Sequence, residues 1–337
     1  MKKNRLSIFI LITLLLSLTS SCYEPIANTS GGPDGDSEDE RASRSNDNTS
    51  VENMKKPENT DNSGTNKDSE GKAEIKTNVT LNAGDFRGNL SKNLSRTGLT
   101  INDIYDSGSS VEKRILAEYG SVFLTTGMPP SKVMFTSEAE VSAFQSKAGS
   151  ASATIGGASI VLQPEALKAL QDAIAEAKSS GVTITPRDPK DSAQRSYQQT
   201  LELWNDRFNK GCEHWKGKGR LTVDQISRLK GLPIKEQVSE VLELEKKGIY
   251  FNTFFNNSIL YSVAAPGTSQ HLSMLAFDAK EFQNKKVREI MAKHGWFRTV
   301  QNDEPHFTYL GHPESDLSRI GLKKVFKKDG EFWIPQI

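Results

Sequence analysis

An α+β fold is the class this sequence predicts, and three observations predict it. From residue 86 onward, helical patterns and short β-type runs are mixed without the regular strand-helix alternation of a doubly wound sheet. All four tryptophans, Trp204, Trp215, Trp296 and Trp333, lie in this part, so a core can form there. Between Tyr23 and Phe86 there is no aromatic residue, and a stretch of Ser, Asn, Asp, Glu, Lys, Thr and Gly cannot bury enough apolar surface to offset its ordering entropy. The expectation is a disordered tether over residues 22–85, then one domain over 86–337 with a small, mostly antiparallel sheet surrounded by helices.

At the start of the chain Lys2, Lys3 and Arg5 precede an apolar run over residues 8–16, and Thr19, Ser20 and Ser21 lead into Cys22. That order of charge, short apolar run and small residues is a secretory signal over 1–21, too short for a membrane span. Ending the signal on Cys22 resembles the lipobox of bacterial lipoproteins, with Thr19 where Leu is usual and Leu18 one residue earlier. The resemblance implies lipidation of Cys22 and an exported protein anchored to a bacterial membrane, facing the periplasm or the cell exterior. Ordinary secretion, which would release the chain, is the alternative. The 43 Lys+Arg and 42 Asp+Glu leave a net charge of +1, which argues against a nucleic-acid partner. Two cysteines as distant as Cys22 and Cys212 exclude a disulfide framework and Cys-rich zinc modules.

Within the domain a helix opens at Pro164 and stops at Gly181, with Leu167, Leu170, Ile174 and Ala177 on one face. Residues 182–185 are β-branched and read as a strand that ends at Pro186 and delivers Arg187. Helical spacing returns over 196–208, with Leu201, Trp204 and Phe208 on one stripe, and over 234–247, closed by Gly248. Residues 259–263 read as a strand, Pro266-Gly267 as a turn, and 274–277 as an apolar run. A helix over 284–294 is capped by Gly295, and 307–310 form a short strand closed by Gly311. The lysines at 323, 324, 327 and 328 alternate with Val325 and Phe326 as a solvated edge.

Five histidines occur, and the surroundings of two set them apart. His271 precedes Asp278 by seven residues, and the apolar Leu275 and Phe277 between them carry that acid into a buried segment, where a carboxylate needs a partner. His306 opens a strand just after Asp303 and Glu304. Two imidazoles and a carboxylate are the ligand set of a catalytic zinc site with a fourth position for water. Spacing alone leaves open a core histidine, a turn aspartate and a strand-edge histidine. His294 suits a helix C-terminus, His312 a loop, and Cys212 with His214 matches no specific metal spacing.

The string Ser269-Gln270-His271 followed by Asp278 resembles the Ser-x-His-x6-Asp signature of VanY-like D-alanyl-D-alanine carboxypeptidases. Glu304-Pro305-His306 with Tyr309 and Gly311 is similar to their second signature. Met274 stands where that family usually has glycine, and Pro305 replaces its tryptophan. The resemblance implies that His271, Asp278 and His306 bind Zn2+, that Ser269 contacts substrate, and that a terminal D-Ala is hydrolysed from peptidoglycan stem peptides. It also implies a general base and an oxyanion-stabilising arginine. Family spacing favours Asp303 as the base, whereas the Glu-Pro dipeptide and strand alternation favour Glu304. Position after a strand favours Arg187 as the arginine, whereas Arg195-Ser196-Tyr197 matches the family's Arg-Ser-Tyr string, with Thr200 in place of its glutamine. A peptidoglycan endopeptidase on the same scaffold and a non-catalytic murein-binding lipoprotein are the alternatives.

Overall fold

The computed structural model describes residues 84–328 and 330–337, all within one compact unit over 75–337. The signal, Cys22 and all but the last residues of the tether lie outside the described residues. What is described is α+β, with helices around three small antiparallel sheets.

Side-chain caps start most of the helices. Asp85 caps α1 (Phe86–Ser95), which buries Phe86, Leu90 and Leu94 at helical spacing. Thr100 and Asp103 close a capping box on the single turn α2 (Ile101–Ile104), and Ser109 caps α3 (Ser110–Tyr119). Ser137 caps α4 (Glu138–Ala148). A Gly156-Gly157 turn, both residues at positive φ, joins β1 (Ala151–Ile155) to β2 (Ala158–Leu162). Pro164 then opens α5 (Pro164–Ser179), which buries Leu167, Leu170 and Ala177. The next helix, α6 (Tyr197–Gly217), runs well past Phe208 and buries Trp204 and Phe208. It is followed by α7 (Val223–Lys230) and α8 (Ile234–Lys246).

The sheet that matters for the site has the order β3-β5-β4, from β3 (Ala276–Asp278), β4 (Trp296–Phe297) and β5 (His306–Tyr309). Between β3 and β4 lies α9 (Lys285–Lys293), capped by Asn284. The chain ends in a hairpin of β6 (Leu322–Lys327) and β7 (Gly330–Pro335), and the lysine run lies along and just beyond β6.

Two expected strands are absent. Residues 182–185 run beside the segment that follows β3, and the only bridge there is Pro186 to Ala279. The Glu281 carboxylate takes the Thr185 N–H at 2.8 Å, and Pro186 has no N–H to give, so the ladder cannot propagate. Residues 259–261 form a 3-10 turn instead, because Glu245 accepts the Ile259 N–H at 2.6 Å and Ser258 caps the turn. Tertiary partners outweigh β-branched propensity at both places.

The approach to β3 is tight. Gly267 has φ 81° and its carbonyl accepts the Phe135 N–H, while a Cβ on it would lie 1.9 Å from the Phe135 oxygen. Gly267→Ala is therefore expected to destabilise the fold by about 3 kcal/mol or more, read as a lower denaturation midpoint.

Candidate metal centre

The register of the central sheet sets Asp278 directly opposite His306, so their side chains share one face. His271 arrives from a 3-10 turn, Gln270–Ser273, that precedes β3. Met274 ends that turn in the left-handed region, φ 55° and ψ 34°, and lets the chain reverse into β3. For a side-chain-bearing residue this conformation costs about 1–2 kcal/mol. The position suits glycine, the residue found there in the signature this segment resembles.

One nitrogen from each of His271 and His306 and one oxygen from Asp278 lie within 4.8 Å of one another. His271 Nε2 is 3.4 Å and His306 Nδ1 3.2 Å from the same Asp278 Oδ1. The other nitrogen of His271, Nδ1, is 2.6 Å from the Ala193 carbonyl. A carbonyl only accepts, so Nδ1 carries the proton and Nε2 presents a lone pair. Both His271 Nε2 and Asp278 Oδ1 are buried without a hydrogen-bond partner. Burial, and after it the Arg195 guanidinium, push His271 down to about 4, so it is uncharged at neutral pH. Burial opposes charge on Asp278, while the Arg195 guanidinium, 3.2 Å from Oδ2, favours the ionised carboxyl. A bare nitrogen on His271, a nitrogen of His306 facing the same carboxylate oxygen, and Asp278 itself around one point fit a divalent cation of borderline softness such as zinc. Unpartnered buried donor atoms are the physical sign of that fit.

These residues lie in a cleft of about 610 Å3 that also exposes Arg195, Ser269 and Asp303. Arg195 Nη2 reaches Asp278 Oδ2 at 3.2 Å and the Asp191 carbonyl at 2.9 Å. Asp303 keeps a face open to the cleft, yet protein crowds its carboxyl on the other sides. That burial raises it above the usual range, with His306 pulling the other way. Glu304 is not among the cleft residues and acts electrostatically on Arg298 instead. Arg187 is also outside the cleft lining, exposed, with its guanidinium over the Phe282 ring.

Three features of the cleft lack a sequence signal of their own. Tyr119 comes from the segment before residue 160, and Gln270 is visible only as the residue between Ser269 and His271. The third is the loop bearing Phe254, which is 78% exposed at the cleft. The remaining histidines have structural partners: His294 with Glu176, His312 with the Leu124 carbonyl, and His214 stacked on Phe255. Burial pushes the Cys212 thiol up to about 11, which leaves it inert at neutral pH.

No protein-family model matches the chain, and comparison with curated proteins found no significant match. Among solved structures, the chain is similar to VanYB in complex with D-alanine-D-alanine, at 20% identity and a TM-score of 0.29, covering 48% of this chain and 78% of that one. A second is a variant of the vancomycin resistance D,D-pentapeptidase VanY, from a VanB-type cassette, in complex with Zn(II). It too has 20% identity and a TM-score of 0.29, covering 50% of this chain and 82% of that one.

Proposed function

We propose that this protein is a zinc-dependent D-alanyl-D-alanine peptidase that removes the terminal D-Ala of peptidoglycan stem peptides. The observation that carries this reading is the convergence of His271, Asp278 and His306, with bare donor atoms, in a cleft that also presents a carboxylate and a guanidinium. The two signatures in the sequence support the choice of substrate. Export on residues 1–21 and an anchor at Cys22 would bring the cleft to murein, outside the cytoplasmic membrane.

In this reading His271 Nε2, His306 Nδ1 and an Asp278 oxygen hold the ion. Bound zinc supplies Lewis acidity at the scissile carbonyl and acidifies water at neutral pH. Asp303, the carboxylate in the cleft, takes the proton from the attacking water and passes it to the departing amine. Arg195 steadies the oxyanion, whose charge exceeds that of the ground-state carbonyl. Its place in the cleft supports it over Arg187, and the same criterion supports Asp303 over Glu304. Ser269, 9% exposed and facing the cleft, contacts the substrate.

Incubating the full chain and Zn(II) with a synthetic stem pentapeptide ending in D-Ala-D-Ala tests the proposal. Free D-Ala is the expected product, lost when a chelator is added. Shortening of cross-linked dimers without D-Ala release would replace it with an endopeptidase. Murein binding without hydrolysis or bound zinc would replace it with an adhesion role.

A further inference from the structure

Gln270 is 2% exposed and points away from the cleft's open side into a closed set of polar groups. Its Nε2 donates to the Tyr119 carbonyl at 2.8 Å. That carbonyl can only accept, so the orientation of the amide is settled and Oε1 faces the opposite way. Toward Oε1 come His306 Nε2 at 2.8 Å, the Thr308 hydroxyl at short range, and the Thr299 hydroxyl at 3.2 Å. The two threonine hydroxyls are themselves 2.7 Å apart.

Proton counting then fixes the donor in the His306 contact. Each hydroxyl has one proton, and an amide carbonyl has two lone pairs. Thr308 donates to Gln270, Thr299 donates to Gln270 or to Thr308, and in either case the His306 contact needs Nε2–H as its donor. Were His306 protonated on Nδ1 instead, two acceptors would face each other at 2.8 Å among residues that are 4% exposed or less.

We propose that Gln270 is a positioning residue of the metal centre: its side-chain carbonyl holds His306 as the Nε2–H tautomer and turns the bare Nδ1 toward Asp278 and His271. This rests on the reading of His271, Asp278 and His306 as metal ligands, and deepens it. The two imidazoles are thereby pinned in opposite tautomers by two carbonyls, the backbone of Ala193 for His271 and the side chain of Gln270 for His306. The amide does this without adding a second buried negative charge beside Asp278.

Nitrogen NMR of the metal-free full chain, labelled on histidine, tests the tautomer directly. His306 is expected to carry a proton on Nε2. Gln270→Met keeps the length of the side chain without a strong acceptor; it should release His306 into a mixture of tautomers and weaken Zn(II) binding roughly 10–100-fold in a chelator competition. Gln270→Glu restores an acceptor and should restore the Nε2–H tautomer. A wild-type His306 with no proton on Nε2 overturns the proposal even if Gln270→Met does not fold. So does a folded Gln270→Met with unchanged tautomer and zinc affinity. The expected tautomer in a wild-type chain that binds no Zn(II) would instead overturn the metal centre, and the positioning role with it.

Discussion

His271→Ala is expected to abolish stoichiometric Zn(II) binding and to lower D-Ala release by at least roughly a thousandfold, about 4 kcal/mol of transition-state stabilisation. The size of the effect follows from geometry. His271 Nε2 and His306 Nδ1 flank a single Asp278 oxygen, and removing one imidazole leaves a two-residue site beneath Arg195. Without a held ion, the Lewis acidity and the acidified water that zinc would supply are lost together. Loss of the Nδ1–H also strands the Ala193 carbonyl, at a cost of about 1–3 kcal/mol to the fold. Circular dichroism and thermal melting with and without Zn(II) separate the two effects. The wild-type chain should melt higher with zinc, and a folded His271→Ala should not respond. A variant that retains full zinc occupancy would refute the ligand assignment.

Much of this site was legible because its members sit at the ends of short, strongly patterned segments. The seven-residue step from His271 to Asp278 spans one turn and one three-residue strand, both visible as an apolar run after a Pro-Gly turn. The second segment, His306–Tyr309, pairs with the first, and antiparallel register does the rest. What was not legible depends on partners far along the chain. The strands expected over 182–185 and 259–263 fail because Glu281 and Glu245, remote or on another element, take their backbone protons. Tyr119 and the Phe254 loop reach the cleft through packing that no local periodicity encodes. Gln270 has no role legible in the sequence, because its partners Tyr119, Thr299 and Thr308 come from three separate segments. The contest between Asp303 and Glu304 has the same origin. Alternation along a strand favours Glu304 only if the strand includes it, and β5 starts at His306, after a turn.

That turn is why Asp303→Asn and Glu304→Gln are expected to differ sharply. Asp303→Asn should lower kcat for D-Ala release about 10^2–10^4-fold, with zinc affinity and melting temperature close to wild type. An amide is nearly isosteric with the carboxyl but cannot take a proton from water or hand one to the amine. Asp303 is suited to that exchange by place and by environment. It opens on the cleft beside His306, and desolvation by the surrounding protein raises its carboxyl above the usual carboxylate range. Glu304 lies outside the cleft, on the Arg298 side of the turn. Glu304→Gln should therefore change kcat by no more than about threefold, within the range of a surface substitution. Steady-state kinetics on both variants decide the assignment. The reverse ranking, with Glu304→Gln inactive and Asp303→Asn near wild type, would mean that the turn before β5 rearranges when substrate binds, bringing the other carboxylate to the scissile bond.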